Sequence, residues 1–456
     1  MPELHVLISA LALLTYVLTT RASRERRAPA AAIAWVLGIA LLPYLVLPLY
    51  FVFGRRKFRR VARAARPPPQ PRHWASDLTA AFGLAPPRPA RTRFHADGAR
   101  AREALLATIR SARAQLDVAT FLVGHDALGD EVVAALAERV RAGVEVRVLV
   151  DGAGALLGSR RALAALRDAG VVLGLFRPPF GLHAQGPRNL RNHRKLVVAD
   201  RERLWSGGRN LAAEYFLGRA GAAPWIDLSF DLAGAVAEAA AEQFESDWRT
   251  AHVVRRTRHP RTAAAARAAV VDVPPPPADG DRVEFVPSGP DQNEDTVQAL
   301  LVAGCYRAER RILAVTPYFV PDDALKNALR LAARRGVEVV LVVPARSNHR
   351  LADLARGRAL RELAGAGATI RMSARMVHAK AVVFDDSLAV AGSVNLDVRS
   401  LLLNYEAATL FFGRDEIRWL AAWIETLPAA ERYCAEPPGL LRDVGEGLLL
   451  ALAFQL

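Results

Sequence analysis

The stretch Asn192-His193-Arg194-Lys195-Leu196-Val197-Val198-Ala199-Asp200 decides the architecture of this chain, because its pattern occurs twice. Histidine, any residue, lysine, four residues and aspartate return as His378-Ala379-Lys380-Ala381-Val382-Val383-Phe384-Asp385. Seven positions after each aspartate a glycine begins a matching tail, Gly207-Gly208-Arg209-Asn210 or Gly392-Ser393-Val394-Asn395. One such motif would be weak evidence, whereas two copies with equal spacing indicate an internal duplication and a functional site.

Each histidine–lysine pair comes directly before an apolar, β-branched segment that is typical of a buried strand. Side chains alternate along a strand, so His193 and Lys195 are predicted to share one face, and His378 and Lys380 another. Imidazole and ammonium groups beside an amide and closely approaching backbone suit a phosphate ester. The predicted substrate contacts are Gly208, Asn210, Ser393 and Asn395.

The segments around the two motifs repeat one order of helices and strands. Leu116 to Phe121 and Ile312 to Thr316 are predicted strands, each between two predicted helices. Ala142-Gly143-Val144-Glu145-Val146 is closely similar to Arg335-Gly336-Val337-Glu338-Val339. Alternating helices and strands predict an α/β fold, and the duplication predicts two halves related by a pseudo-twofold axis where the motifs meet.

These residues resemble the phospholipase D superfamily and, within it, the bacterial cardiolipin synthases. The resemblance also covers 189–195, 316–322, 392–400 and Asn404-Tyr405-Glu406. It implies duplicated phospholipase D-like domains, each a mixed sheet flanked by helices, that form a pseudo-dimer behind an N-terminal membrane hairpin of two helices. One departure is Ala212-Ala213-Glu214-Tyr215, where the synthases usually carry an aspartate before the Glu-Tyr pair, and it concerns the contacts to the acceptor.

The resemblance assigns one histidine as the nucleophile that becomes a phosphohistidine and the other as the acid for the leaving oxygen. It favours His193 as the nucleophile and His378 as the acid, although the sequence is nearly symmetric. Lys195 and Lys380 would stabilise the phosphoryl oxygens.

Carboxylates complete the predicted catalytic set. Asp200 and Asp385 are grouped with it, and we expect them to hold the site together by pairing with nearby donors rather than to transfer protons. By resemblance, an acid in each half orients the histidine of that half. These orienting acids are Glu406 in the second half and Asp227 in the first, where Glu214 competes for the role.

The composition bounds the partners. The chain has 456 residues, a net charge of +15 and 52% hydrophobic residues, so an anionic partner is expected, either nucleic acid or a negatively charged membrane. Cys305 and Cys434 lie in unrelated segments and indicate neither a zinc site nor a disulfide. No metal and no cofactor are expected, because the motifs bring no cluster of acidic residues.

Two apolar runs, Leu4 to Thr20 and Ala30 to Phe53, predict two transmembrane helices in a multi-pass protein of the cell membrane. One span with one interfacial segment is the alternative. The basic cluster after the second run favours a cytoplasmic catalytic region, whereas the arginines between the runs argue the other way. The predicted segments are a membrane hairpin (1–60), a proline-rich linker (61–92), a first domain (93–254), a linker (255–281) and a second domain with an apolar tail (282–456).

The resemblance implies the reaction. One phosphatidylglycerol would donate its phosphatidyl group and a second would accept it, giving cardiolipin and glycerol. A phospholipase D that transfers to water, a nuclease, and a membrane-tethered lipid-binding protein with an inactive site remain as alternatives. The apolar runs argue against a nuclease and for phospholipid substrates at an anionic membrane, and the two complete motifs argue against an inactive site.

Overall fold

The computed structural model describes residues 2–23, 29–54, 73–178, 189–219, 221–254, 281–428, 431–435, 438–439 and 445–446. Residues 61–72 of the first predicted linker, residues 255–280 of the second, the basic cluster after residue 54 and the apolar tail 447–456 lie outside these residues.

The N-terminal segment forms three helices, α1 (Pro2–Ser23), α2 (Pro29–Leu41) and α3 (Pro43–Phe53). The second predicted helix is therefore two helices, because Pro43 has no N–H to continue the helical hydrogen bonds and Leu42 leaves the helical conformation. Tyr16 and Tyr50 are buried between the helices, and the Tyr50 hydroxyl lies 3.0 Å from Thr19 Oγ1. Among the described helices only α1, over Glu3–Thr20, is long and apolar enough to cross a membrane by itself.

The segment that precedes the first half is attached to the second half. It forms α4 (Trp74–Ala81) and β1 (Arg88–Pro89) before β2 (Arg91–His95) enters the first half. β1 pairs with a strand of the second half at Arg88↔Val283, and Trp74 packs on the core. The prediction of a linker is wrong for residues 73–92, which form these elements. The His73 side chain caps α4, whose inner face of small residues packs closely on the domain.

The first half is a mixed sheet with helices on both faces. Its elements are α5 (Gly98–Ser111), β3 (Gln115–Thr120), α6 (Ala127–Arg141), β4 (Glu145–Asp151), α7 (Gly154–Leu157), α8 (Arg160–Asp168), β5 (Val172–Phe176), β6 (Leu196–Ala199), β7 (Arg203–Gly207), β8 (Ser229–Ala233), α9 (Val236–Thr250) and β9 (His252–Val254).

The second half repeats this arrangement. Its elements are β10 (Arg282–Ser288), α10 (Thr296–Arg307), β11 (Arg311–Val315), β12 (Phe319–Val320), α11 (Asp323–Arg334), β13 (Glu338–Pro344), α12 (Arg350–Ala355), α13 (Gly357–Gly365), β14 (Thr369–Ser373), β15 (Ala381–Phe384), β16 (Leu388–Gly392), β17 (Leu396–Asp397), α14 (Val398–Leu402), β18 (Glu406–Phe411), α15 (Arg414–Thr426) and β19 (Glu431–Arg432).

The strand orders confirm the predicted duplication. In the first half the order is β2-β8-β7-β6-β3-β4-β5-β9, and in the second it is β10-β18-β16-β15-β11-β13-β14-β19 with β1 added at the edge. In both sheets the central strand, β3 or β11, runs parallel to one neighbour and antiparallel to the motif strand, β6 or β15. Because the motif strand is antiparallel, its first residues lie beside the carboxyl end of the central strand.

The two halves meet through the backbones of the motifs. The His193 N–H donates to the Tyr405 carbonyl at 2.8 Å, and the His378 N–H donates to the Ile226 carbonyl at 2.7 Å. Each contact joins a motif of one half to the residue before a carboxylate of the other. The two symmetric contacts place both motifs at the pseudo-twofold axis.

Candidate active site

The histidine and lysine side chains of both halves form one cluster at this axis. His193 is half-buried, and its ring packs edge-on against Phe121 with 4.6 Å between centroids. Burial lowers the pKa of His193 well below its ordinary value, and the charges of Lys195, Arg399 and Lys380 lower it further. Since Lys380 belongs to the other half, the two predicted motifs share one electrostatic environment.

The carboxylates face the histidines crosswise. Asp227 of the first half lies with Oδ2 2.7 Å from Nδ1 of His378 in the second half. Glu406 of the second half lies with Oε1 3.5 Å from Nδ1 of His193 in the first half. The prediction that each half orients its own histidine is therefore wrong. Each acid is the next residue after the one whose carbonyl accepts the hydrogen bond from the backbone N–H of the opposite histidine. This backbone contact between the halves therefore places the acid beside that histidine.

The two carboxylates differ in charge state. Burial would raise the pKa of Asp227, but the neighbouring His378, Lys380 and Arg209 lower it to about 2. Burial raises the pKa of Glu406 to about 7, although Lys195 and a hydrogen bond from Ser393 oppose this. The partner of His378 is therefore held as an anion, whereas the partner of His193 keeps its proton more readily than an ordinary carboxyl group does.

Two further side chains donate hydrogen bonds to the Glu406 carboxylate, one to each oxygen. Ser393 Oγ donates to Oε2 at 2.5 Å, and Asn404 Nδ2 donates to Oε1 at 3.3 Å. The position equivalent to Ser393 is Gly208, where an added Cβ would lie 2.3 Å from Oδ1 of Asp227. Ser393 and Gly208 thus contact the carboxylates, which differs from the predicted substrate contact.

The lysine side chains lie against the histidines of their own motifs. Lys195 Nζ donates to the His193 carbonyl at 2.7 Å, and Lys380 Nζ lies 2.8 and 3.0 Å from the two ring nitrogens of His378. Burial lowers the pKa of Lys380 to about 7, with Asp227 opposing and Lys195 adding to the effect. Burial and Lys380 also lower the pKa of His378, to about 4. A bound anion would oppose both shifts, so the cluster favours binding a phosphate ester.

The two asparagines present unsatisfied polar atoms at the cluster. Asn210 Nδ2 donates to the Tyr215 hydroxyl at 2.9 Å, while Oδ1 of Asn210 and Oδ1 of Asn395 are buried without a hydrogen-bond partner among the described residues. Such atoms are costly unless a ligand satisfies them. If the Asn210 amide is rotated, Tyr215 donates to its oxygen and the NH₂ group becomes the atom without a partner, which could then donate to a ligand.

Asp200 and Asp385 lie outside the cluster, at the opposite ends of the motif strands. Asp200 accepts hydrogen bonds of 2.8 to 2.9 Å from the backbone N–H groups of residues 113–115. Asp385 accepts bonds of 2.8 to 3.0 Å from those of residues 309–311. The prediction that groups them with the catalytic residues is therefore wrong. The expectation that they pair with nearby donors agrees with these contacts. Each fixes the motif strand against the start of the central strand.

Glu214 does not meet either histidine. Its carboxylate pairs with Arg219 at 2.9 Å. Between the two first-half candidates, the structure therefore places Asp227 beside a histidine and Glu214 in an ion pair at the surface.

Sequence reasoning missed a buried arginine that joins the halves. Arg194 is fully buried, donates to Asp247 and to Asp291, and also donates to the Glu406 carbonyl at 2.9 Å. Its partners lie 53 and more positions away, so nothing near the motif indicated them. The equivalent residue of the second motif is Ala379. This difference between the two motifs is the one sequence signal that sets Arg194 apart.

Aromatic rings surround the two histidines. Tyr215 packs edge-on against His378 at 4.9 Å between centroids, and Trp225 lies at 5.7 Å. Together with Phe121 they limit water around the imidazoles. Within the described residues, no group of three or more histidines, cysteines and carboxylates has the arrangement of a metal site.

Comparison with known proteins agrees with this geometry. The family described as cardiolipin synthase, phospholipase D-like domain, matches residues 105–248 and again 303–427. The family described as phospholipase D-nuclease N-terminal matches residues 8–55. The two matches of one domain coincide with the two sheets.

Individual relatives extend the likeness to most of the chain. Cardiolipin synthase A of Pseudomonas aeruginosa is 32% identical over 455 residues, covering 93% of this chain and 90% of the relative. Cardiolipin synthase A of Pseudomonas putida is 32% identical over 435 residues, covering 90% and 87%. Among solved structures, the phosphatidylserine synthase of Haemophilus influenzae has a TM-score of 0.64 at 15% identity, covering 84% of this chain and all of that one, which is a likeness of fold.

Proposed function

This chain belongs to the cardiolipin synthase family of phospholipase D-like proteins, and from that premise we propose that it transfers a phosphatidyl group from one phosphatidylglycerol to another. It is a phosphatidyltransferase that acts on phospholipids and associates with the membrane. The products of the proposed reaction are cardiolipin and free glycerol. The observation that carries the proposal is the single cluster in which His193 and His378, from different halves, each face a carboxylate of the opposite half.

The geometry supports different roles for the two histidines. Burial lowers the pKa of His378, so the imidazolium that an acid needs depends on a bound phosphate, which opposes that shift, and on Asp227, which is anionic and lies 2.7 Å from Nδ1 of His378. Glu406 lies farther from His193, and its raised pKa of about 7 weakens it as a charge partner. His193 is therefore held as a neutral imidazole, with Nδ1 3.4 Å from the Asn404 amide nitrogen and 3.5 Å from Glu406. The tautomer protonated on Nδ1 leaves Nε2 to attack, and rotation of the Asn404 amide would give that proton an acceptor. These contacts favour His193 as the nucleophile.

Transfer then proceeds in two balanced displacements. Nε2 of His193 attacks phosphorus and forms an N–P bond, while the bond from phosphorus to the glycerol oxygen breaks and His378 gives that oxygen its proton. The glycerol hydroxyl of a second phosphatidylglycerol next gives its proton to His378 and attacks phosphorus, and the N–P bond breaks. Lys195, Lys380 and the two asparagine amides donate to the phosphoryl oxygens in both steps.

The membrane arrangement follows from the apolar helices. We assign α1 as one span and α2 with α3 as a second, interrupted span, since 11 residues of α3 are too few to cross alone. Leu7, Leu11, Leu14 and Leu18 of α1 face outward, where lipid would surround them. The basic residues after the second run favour a cytoplasmic catalytic region. Nucleic acid is not proposed as a partner, because the substrate expected at this site is a lipid.

Product analysis distinguishes transfer from hydrolysis. We expect the purified full chain, in micelles of phosphatidylglycerol, to release glycerol and cardiolipin in equal amounts. His193→Ala and His378→Ala are the inactive controls. Phosphatidic acid as the main product would replace the synthase by a phospholipase, and cleavage of single-stranded DNA at a comparable rate would replace it by a nuclease.

A further inference from the structure

Two short helices at the catalytic face bury their small residues and expose their leucines. In α7 the small residues Gly154 and Ala155 are buried, while Leu156 and Leu157 are 46% and 74% exposed. In α12 Ala352 and Ala355 are buried, while Leu351 and Leu354 are 48% and 57% exposed. A helix of a water-exposed surface normally does the opposite and turns its large apolar residues inward. We call these four exposed side chains the leucine rim.

The two parts of the leucine rim are related by the duplication. α7 follows β4 and α12 follows β13, and these are the corresponding strands of the two sheets. A single exposed leucine needs no explanation, but a pair of exposed leucines at the same place in each half does. The arrangement therefore belongs to the face that the two halves share.

That face is the one that holds the catalytic cluster. α7 begins against Phe121, since a Cβ added at Gly154 would lie 1.7 Å from the Phe121 carbonyl oxygen, and the Phe121 ring packs on His193. α12 packs through its alanines on Val320 of strand β12. Val320 pairs with Asp397 of β17, and Asp397 is two residues after Asn395. Each leucine pair thus lies one layer of structure away from one end of the site.

Cationic side chains accompany each leucine pair. Arg160 and Arg161 follow α7, Arg346 precedes α12, and Arg350 is the first residue of α12. All four are exposed, and none forms an ion pair with a described carboxylate. The acid within α12, Asp353, is already paired with Arg356 at 3.2 Å. Exposed leucines beside unpaired arginines match a surface that inserts into an anionic lipid interface.

We infer that the catalytic face docks on an anionic lipid bilayer, with the leucine rim inserted among the lipids on both sides of the active site and the four arginines on the headgroups. This would bring the phosphodiester of a lipid to the histidines without lifting the lipid out of the bilayer. The inference rests on the proposed function only in taking a membrane lipid as the substrate. A second copy of this chain is the competing occupant of the face.

Site-specific quenching tests the contact itself. The full chain carries Cys434→Ser, because Cys434 is exposed and Cys305 is buried, and a fluorophore is placed at Leu157→Cys or Leu354→Cys. Leu331→Cys is the matched control, since Leu331 is 48% exposed near the end of α11, away from the catalytic face. In vesicles of phosphatidylglycerol and brominated phosphatidylcholine, we expect the lipid to quench the first two labels and not the third.

Two results of the quenching would overturn the inference. One is equal quenching at the rim positions and at residue 331. The other is a spectral change at the rim positions that grows with protein concentration in lipid-free detergent, which would assign the face to self-association. Neither readout needs turnover, so a chain that makes no cardiolipin would refute the proposed function and leave this test valid.

Activity on two forms of substrate tests the consequence. The variant with serine at all four rim positions should lose at least about tenfold in kcat/KM on vesicles of long-chain phosphatidylglycerol. On dihexanoyl-phosphatidylglycerol dissolved as monomers it should stay within about twofold of the wild type, as should Leu331→Ser on both substrates. An equal loss on both substrates would mean that the leucines support the site rather than the membrane contact, and an unchanged rate on vesicles would remove the contact altogether.

Discussion

Asp227 lies 2.7 Å from His378 although the two residues belong to different halves of the duplicated chain. Glu406 and His193 repeat the relationship in the opposite direction. Among the described residues, neither half therefore supplies both the histidine of a motif and the carboxylate that faces it. The pairs form only when the halves pack, so the packing of the duplication is itself part of the proposed active site.

Asp227→Asn should impair His378 rather than His193. We expect turnover of phosphatidylglycerol to fall by about two to four orders of magnitude, because the neutral amide no longer stabilises the imidazolium. Glu214→Gln, which changes a carboxylate paired with Arg219 away from both histidines, should stay within about twofold. The measurement is initial-rate release of glycerol, and the reverse order of the two losses would restore Glu214 as the orienting acid.

Lys380→Met should stabilise the folded chain while abolishing turnover. Burial lowers the pKa of Lys380 from 10.5 to about 7, so the folded chain binds this proton less tightly than the unfolded chain does. The cost to the free energy of unfolding is present in full below about pH 7 and disappears as the pH rises through 10.5. We therefore expect the Tm of the variant at pH 6.5 to exceed that of the wild type by a few degrees.

The same difference in Tm should shrink as the pH is raised toward 10. Lys326→Met is the control, because Lys326 is paired with Asp323 and Glu362 at the surface and its loss should not raise Tm. A lower Tm for Lys380→Met at pH 6.5, or a difference that does not depend on pH, would contradict an uncompensated buried charge at this position.

Arg194→Ala should weaken the packing between the two halves and lower the free energy of unfolding. It leaves the buried Asp247 and the partly buried Asp291 without their cation, a change that costs about 3–5 kcal/mol of unfolding free energy. Arg219→Ala removes an exposed arginine and should cost no more than about 0.5 kcal/mol. Chemical denaturation followed by circular dichroism measures both, and similar midpoints for the two variants would show that Arg194 does not join the halves.

Turnover should survive chelation of divalent metal. Imidazole, ammonium and amide groups supply the attack, the proton and the charge stabilisation, so no step is assigned to a metal ion. Rates with and without excess EDTA, on the same phosphatidylglycerol micelles, are expected to agree within about twofold. Complete loss that one particular metal restores would show that the site has been misread.

The sequence predicted what depends on local pattern. The duplicated α/β fold and the meeting of the motifs follow from periodicity and repetition, and the fold is confirmed. The predicted strand face of His193 and Lys195 is wrong, because both residues precede β6 instead of lying on it. The crosswise carboxylates did not follow, because which histidine Glu406 faces depends on how the halves pack across the axis. α4 was missed because the proline clusters on both sides of its eight residues suggested one continuous linker.

The location of the covalent intermediate tests the shared site most directly. His378→Ala, incubated with phosphatidyl-p-nitrophenol, should accumulate a phosphatidyl group on His193, because this leaving group needs no acid and the base for the second step is absent. His193→Ala should accumulate none, and peptide mapping by mass spectrometry reads both variants. An adduct on His193 alone is the result predicted here. An adduct on His378 in the His193→Ala variant would contradict the assigned roles, and substantial turnover by either single variant would contradict the single site on which they depend.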